Sequence, residues 1–112
     1  MSAPRLSRPL VLEAPVRQPD GAGGWTEDWT PLGTVWAEMV PRTGGLRSAG
    51  AAVTGRVPWK ITLRAAPVGS PRRPRPGQRL TDGARVFAIH AVAEADPMGL
   101  YLVCDAEEEV AA

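Results

Sequence analysis

A chain of 112 residues suits one domain, and at this size roughly 65% of the unfolded surface is buried on folding, enough for a core without covalent staples. Its one cysteine, Cys104, excludes an intramolecular disulfide and a cysteine-based zinc cage. The net charge of +1 hides a division: residues 1–79 carry 12 Lys/Arg against 5 Asp/Glu, and residues 80–112 carry Arg85 alone against 7 acids.

In chain order, residues 1–8 read as a loose, partly basic arm. Up to Leu12 the only apolar run is Leu10-Val11-Leu12, too short for a secretory signal, and nothing approaches the ~20 apolar residues of a membrane helix. A soluble protein without a membrane partner is expected. Residues 9–15 form a short strand bounded by prolines, which suits a sheet edge. Residues 18–34 follow as a long turn-rich stretch containing Asp20-Gly21 and Gly23-Gly24. Residues 34–41 alternate, with Val35, Ala37 and Met39 on one face and Trp36, Glu38 and Val40 on the other. Pro41 ends that strand.

Residues 43–56 are small and glycine-rich, without a clear period, and form a long loop of the kind that is often functional. Strict alternation resumes over 57–65, where Val57, Trp59, Ile61 and Leu63 oppose Pro58, Lys60, Thr62 and Arg64. Residues 70–77, Ser-Pro-Arg-Arg-Pro-Arg-Pro-Gly, make an extended, exposed connector, since proline removes ladder donors. The last third holds strands at 78–81, 85–93 and 100–105, joined by Asp82-Gly83 and by Asp96-Pro97-Met98-Gly99. The acidic tail 107–112 is expected to fray. The result is an all-β fold, a small β-barrel or sandwich of about six short strands with one long loop between strands 2 and 3. Residues 9–106 make the single domain.

Chemistry is sparsely represented. His90, the only histidine, alternates with Phe87 and Ile89 and should face solvent or a neighbouring subunit, with no nucleophile or orienting carboxylate indicated by spacing. Cys104 alternates with Leu100 and Leu102 and reads as a small buried hydrophobe. Glu107, Glu108 and Glu109 are adjacent, a poor arrangement for converging on a metal, and no EF-hand or phosphate loop occurs. No enzyme, cofactor or metal is expected.

The four tryptophans divide by context. Trp36 or Trp59 is expected to anchor the core, whereas Trp25 and Trp29 sit in a polar segment where core and interface are both open readings. Arg72, Arg73, Arg75 and Arg79 form a basic cluster, either a solvated loop or a contact for DNA or an acidic protein face. Aromatic stacking residues are not interleaved with it. The opposed charges of the two chain portions, including Glu107, Glu108 and Glu109 at the end, suggest a basic face of one copy meeting an acidic face of the next. Removal of everything beyond Asp105 is expected to weaken such assembly.

The order of motifs resembles the phage head–tail joining (head closure) family. The resemblance rests on Asp20-Gly21-Ala22-Gly23-Gly24, then Trp29, then Val35-Trp36-Ala37, matching a D-x-x-G-G…W…vWA signature. It continues through the glycine-rich loop to Trp59-Lys60-Ile61-Thr62-Leu63-Arg64, then Arg85-Val86-Phe87-Ala88-Ile89, and closes at Leu100-Tyr101-Leu102-Val103-Cys104. It covers about residues 9–108. Two departures are Leu46-Arg47, where the family often has a Glu, and the Pro/Arg-rich 70–77 connector. The Ala/Arg/Gly/Pro bias would suit a high-GC bacterial host, with a prophage or gene transfer agent as source.

The resemblance implies a β-barrel subunit of a ring, sixfold in the family, between a portal adaptor and a tail terminator or tail tube protein. It places the protein at the head–tail junction of a phage or phage-like particle assembled in a bacterial cytoplasm. It also implies a channel-facing loop that helps retain or pass DNA. Here that loop comprises Thr43, Gly44, Gly45, Leu46, Arg47, Ser48, Gly50, Gly55 and Arg56, with glycines for movement and two arginines for weak, sequence-independent attraction to double-stranded DNA. The competing readings are a tail terminator or tail completion protein of the same junction, and a small nucleic-acid-binding barrel using Arg72, Arg73 and Arg75.

Overall fold

A computed structural model describes residues 3–42 and 55–109. Six strands, β1 (Arg8–Pro19), β2 (Trp25–Pro41), β3 (Arg56–Arg64), β4 (Arg79–Thr81), β5 (Val86–Glu94) and β6 (Tyr101–Glu109), form one closed, wholly antiparallel barrel. Their order around it is β1-β2-β3-β6-β5-β4. The fold class read from the sequence is the one observed, in its barrel form.

Alternation fills the interior. Leu10 and Leu12, Ala37, Ile61 and Leu63, Leu80, Phe87 and Ile89, and Leu102, Cys104 and Ala106 are buried, so every strand contributes. The inward face expected for 34–41 is found, with Val35 and Met39 packed beside Ala37. In β5 the register shifts between Ile89 and Ala91. His90 is therefore the extra residue of a bulge, which leaves it exposed and returns Val92 to the core side.

Three expectations are corrected, and one alternative is decided. The turn-rich stretch 18–34 is instead a continuation of both strands: Pro19 pairs with Trp25, and pairing runs on to Arg8 with Ala37. The polar sequence there shows no alternation because beyond the barrel neither face of the hairpin is buried in the core. Of the two tryptophans offered as core anchor, Trp59 packs against the core and Trp36 does not; Trp36 is 55% exposed, since it shares the outer face with Glu38 and Val40. The 70–77 connector is exposed at Pro71, Arg72, Arg75, Pro76 and Gly77 as expected, but it is folded through turns against the barrel and not extended: Pro74 is fully buried, and Gly77 N–H donates to Ile89 O at 3.0 Å. Finally, Glu107, Glu108 and Glu109 are not a fraying tail but the end of β6, laddered to Arg56, Val57 and Pro58 of β3. Cutting after Asp105 would remove buried Ala106 and Glu108, so it would report on folding before assembly.

Phe87 is the largest fully buried side chain and meets Trp59 edge to face at 6.1 Å. Phe87→Ala should lower unfolding free energy by about 3–5 kcal/mol, read as a drop in the denaturant midpoint at unchanged slope.

Candidate functional site: an assembly surface of ribbon, connector and barrel end

The D-x-x-G-G segment is a turn with a physical reason for each residue. Asp20 Oδ1 accepts the N–H groups of Ala22 (2.8 Å) and Gly24 (2.9 Å), bonds that hold its carboxyl below the usual range. Gly23 has φ of 85°, and a Cβ at Gly24 would lie 2.6 Å from Asp20 Oδ2. This turn caps a two-stranded ribbon, because β1 contacts β4 only through Val11–Glu13 and β2 contacts β3 only through Ala37–Pro41. Residues 14–19 and 25–30 therefore pair only with each other.

Pro15 pairs with Trp29, Arg17 with Glu27, and Pro19 with Trp25, giving one ribbon face of two Pro–Trp pairs around a charge pair. Trp25 is 60% exposed, with the Arg17 guanidinium 5.1 Å from its ring centroid. Trp29 is partly buried, because the Arg79 guanidinium stacks over it at 4.1 Å while Arg79 Nε donates to Glu13 Oε1 at 2.6 Å. Asp20 N–H donates to Gly24 O at 3.1 Å. Backbone alternation then sends the nitrogens of Pro15 and Pro19 to the outer edge of β1, where proline offers no donor.

At the far end of the barrel, Glu108 is 7% exposed. It accepts from Arg85 Nε (2.7 Å), Arg85 Nη2 (3.0 Å) and Trp59 Nε1–H (3.0 Å). Arg85 also lies over Trp59 and Phe87, 5.4 and 5.1 Å from their centroids. Hydrogen bonds from Arg85 chiefly, assisted by Trp59 and opposed by burial, hold the Glu108 carboxyl below its usual range. Neither Arg85 nor the Glu108 partnership was legible as a pair from spacing. The one signal was a lone cation in an acid-rich third.

The remaining site candidates separate. Glu107 Oε1 lies 3.7 Å from Arg56 Nη1 and 3.8 Å from His90 Nε2, and Glu109 is exposed at the strand end. Arg42 is ion-paired with Asp105, and its N–H donates to Pro58 O at 3.0 Å. Arg42 and Arg56 thus tie both feet of the long loop to β6. Of the channel-loop residues, Gly55 and Arg56 belong to that stem; Thr43, Gly44, Gly45, Leu46, Arg47, Ser48 and Gly50 lie outside the described residues. Arg73 donates from Nη1 to Ala66 O at 3.0 Å, whereas Arg72 and Arg75 are exposed. Burial pushes the Cys104 thiol up to about 12, which keeps it protonated at neutral pH. No group of three or more His, Cys, Asp or Glu suited to a metal occurs among the described residues.

The two halves of the charge division therefore meet inside one molecule: Arg8 with Asp82, Arg42 with Asp105 and Arg56 with Glu107.

Comparison with known proteins places these features in context. A family model described as phage head completion protein matches residues 1–109. Among solved structures, a chain of the "Virion of native gene transfer agent (GTA) particle" is 54% identical, with a TM-score of 0.82, covering 98% of this chain and 100% of that one. Among curated proteins no match is found.

Because the Glu108 carboxyl is depressed on folding, it contributes stability above the unfolded glutamate value, about 4.3. That contribution is lost as pH falls through the lower folded value. Glu108→Gln should cost about 1–3 kcal/mol at pH 7 and flatten the acid limb of a stability–pH profile; an acid limb identical to wild type would contradict this linkage.

Proposed function

The chain belongs to the phage head completion protein family, and on that footing we propose that it is a structural head closure subunit of a tailed phage or phage-like particle. It forms a ring, sixfold in this reading, between the portal adaptor and the tail terminator or tail tube, and double-stranded DNA passes through the ring. The observation that carries this reading is the chain of a native gene transfer agent virion that matches almost end to end at 54% identity.

The geometry supports it in three respects. A ring needs two unlike patches on each subunit, and the ribbon with Trp25 and Trp29 is physically separate from the barrel end that carries Glu107 and Glu109. An isolated two-stranded ribbon is marginal in water, so a partner against its Pro–Trp face supplies the burial it lacks. The loop 43–56 rises from a stem fixed by Arg42–Asp105 and Arg56–Glu107, which suits a segment that faces a channel while its feet stay in place. The role is structural, not catalytic.

Particles made without the chain should accumulate as separate DNA-filled heads and tails in electron micrographs. Trp25→Ala, exposed and remote from the core, should leave the unfolding midpoint within about 0.5 kcal/mol of wild type yet reduce joined particles. Normal yields of joined, DNA-containing particles without the chain would overturn the proposal.

A further inference from the structure

Beside the ribbon, β2 has a bare edge. The β2–β3 ladder begins at Ala37–Leu63, because β3 ends at Arg64 and the chain turns away at Ala65, whose N–H donates to Leu100 O at 2.9 Å. Residues Gly33 to Trp36 pair with β1 on one side, Leu32 being the extra residue of a bulge there, and pair with no described strand on the other. Opposite them runs the connector from Ala65 to Gln78. Between edge and connector lies a trench, with pockets of about 230 and 510 Å³ at its two ends joined through a narrow neck at Leu32, Val35 and Arg72. Its floor is apolar, since Leu32, Val35 and Ala65 pack on the core.

The charge around it is one-sided. Arg8, Arg42, Arg56, Arg79 and Arg85 each have a carboxylate within an ion pair. The four arginines that line the trench, Arg64, Arg72, Arg73 and Arg75, have none among the described residues. Four of the seven described Lys and Arg side chains without an ion pair (the others are Arg5, Arg17 and Lys60) thus gather beside an unpaired strand edge, while the outer edge of β1 is blunted by Pro15 and Pro19. A strand that can pair on one side only is a template for another chain.

We propose that the Arg64 end of this trench binds an extended, acidic segment of a partner protein, which pairs along Thr34–Trp36 and places its carboxylates against Arg64 and Arg72. Backbone bonds to the edge supply affinity, and the arginine row selects acidic over basic sequences. A DNA duplex does not fit the same place, because its bulk cannot enter a trench that narrows at Arg72. The binding site stands independently of ring formation, since a monomer carries all of it.

The test uses the full chain and a capped ten-residue peptide alternating glutamate and valine, followed by backbone amide NMR and hydrogen exchange. The peptide should shift the amides of Thr34 and Trp36 and slow their exchange. The exposed double substitution Arg64→Glu with Arg72→Glu should weaken binding about tenfold or more while leaving core amides in place. A lysine–valine peptide should then bind the variant better than the wild type. Absence of shifts at Thr34–Trp36 with the acidic peptide, or equal shifts there on adding duplex DNA, would overturn the proposal.

Discussion

Everything outside the barrel depends on a three-residue seam. The sheet closes where Val11, Leu12 and Glu13 of β1 pair with Thr81, Leu80 and Arg79 of β4, and nowhere else along those strands. Leu12 and Leu80 seal the inside, while Glu13, Arg79 and Trp29 form a stacked ion pair outside. A charged pair beneath an aromatic ring is better shielded from water than an exposed one, and the guanidinium gains both contacts at once. Because β4 is only three residues long, β1 and β2 outrun the barrel past this seam. The ribbon is the consequence, and Trp29 at its root is where it is fixed.

The same economy of pairing explains the second unclosed feature. β3 is long where it meets β6, with nine paired positions, but meets β2 over only five. The leftover length of β2 has one neighbour in the barrel's ascending half and none along the connector. Proline guards the outer edge of β1, whereas β2 between Thr34 and Trp36 carries no such guard and faces open space. Natural sheets blunt edges that must stay solitary, so an edge left unblunted beside four arginines that have no carboxylate partner among the described residues reads as a surface with a partner.

Much of the barrel was legible because burial imposes a period. The alternation of Val57, Trp59, Ile61 and Leu63, and of Phe87 and Ile89, follows directly from strands with one face in the core. The ribbon was not legible: residues 25–30 have no buried face, so polar and aromatic residues occur without rhythm, and turn glycines made the stretch look like coil. Burial of Pro74 and Glu108 was equally hidden, since both depend on contacts between segments far apart in the chain. Charge blocks misled in an instructive way. Acids of the last third and bases of the first two look like opposing faces until β3 is laddered to β6, which brings Arg56 to Glu107 and neutralises much of the division within one molecule. Trp25, open between core and interface in the sequence, proves to be exposed, while Trp36 moved from core candidate to rim of the trench.

Family membership and a virion chain of matching length fit a molecule whose distinctive parts are surfaces: a projecting ribbon, a stapled loop stem and a bare edge. The central claim is that these surfaces join head to tail. A density map of intact particles at side-chain resolution tests it most directly. The account predicts a ring of this chain immediately below the portal and adaptor, with the Trp25 ribbon against a neighbouring subunit. Density for the chain confined to the distal end of the tail, or its absence from purified particles, would contradict it.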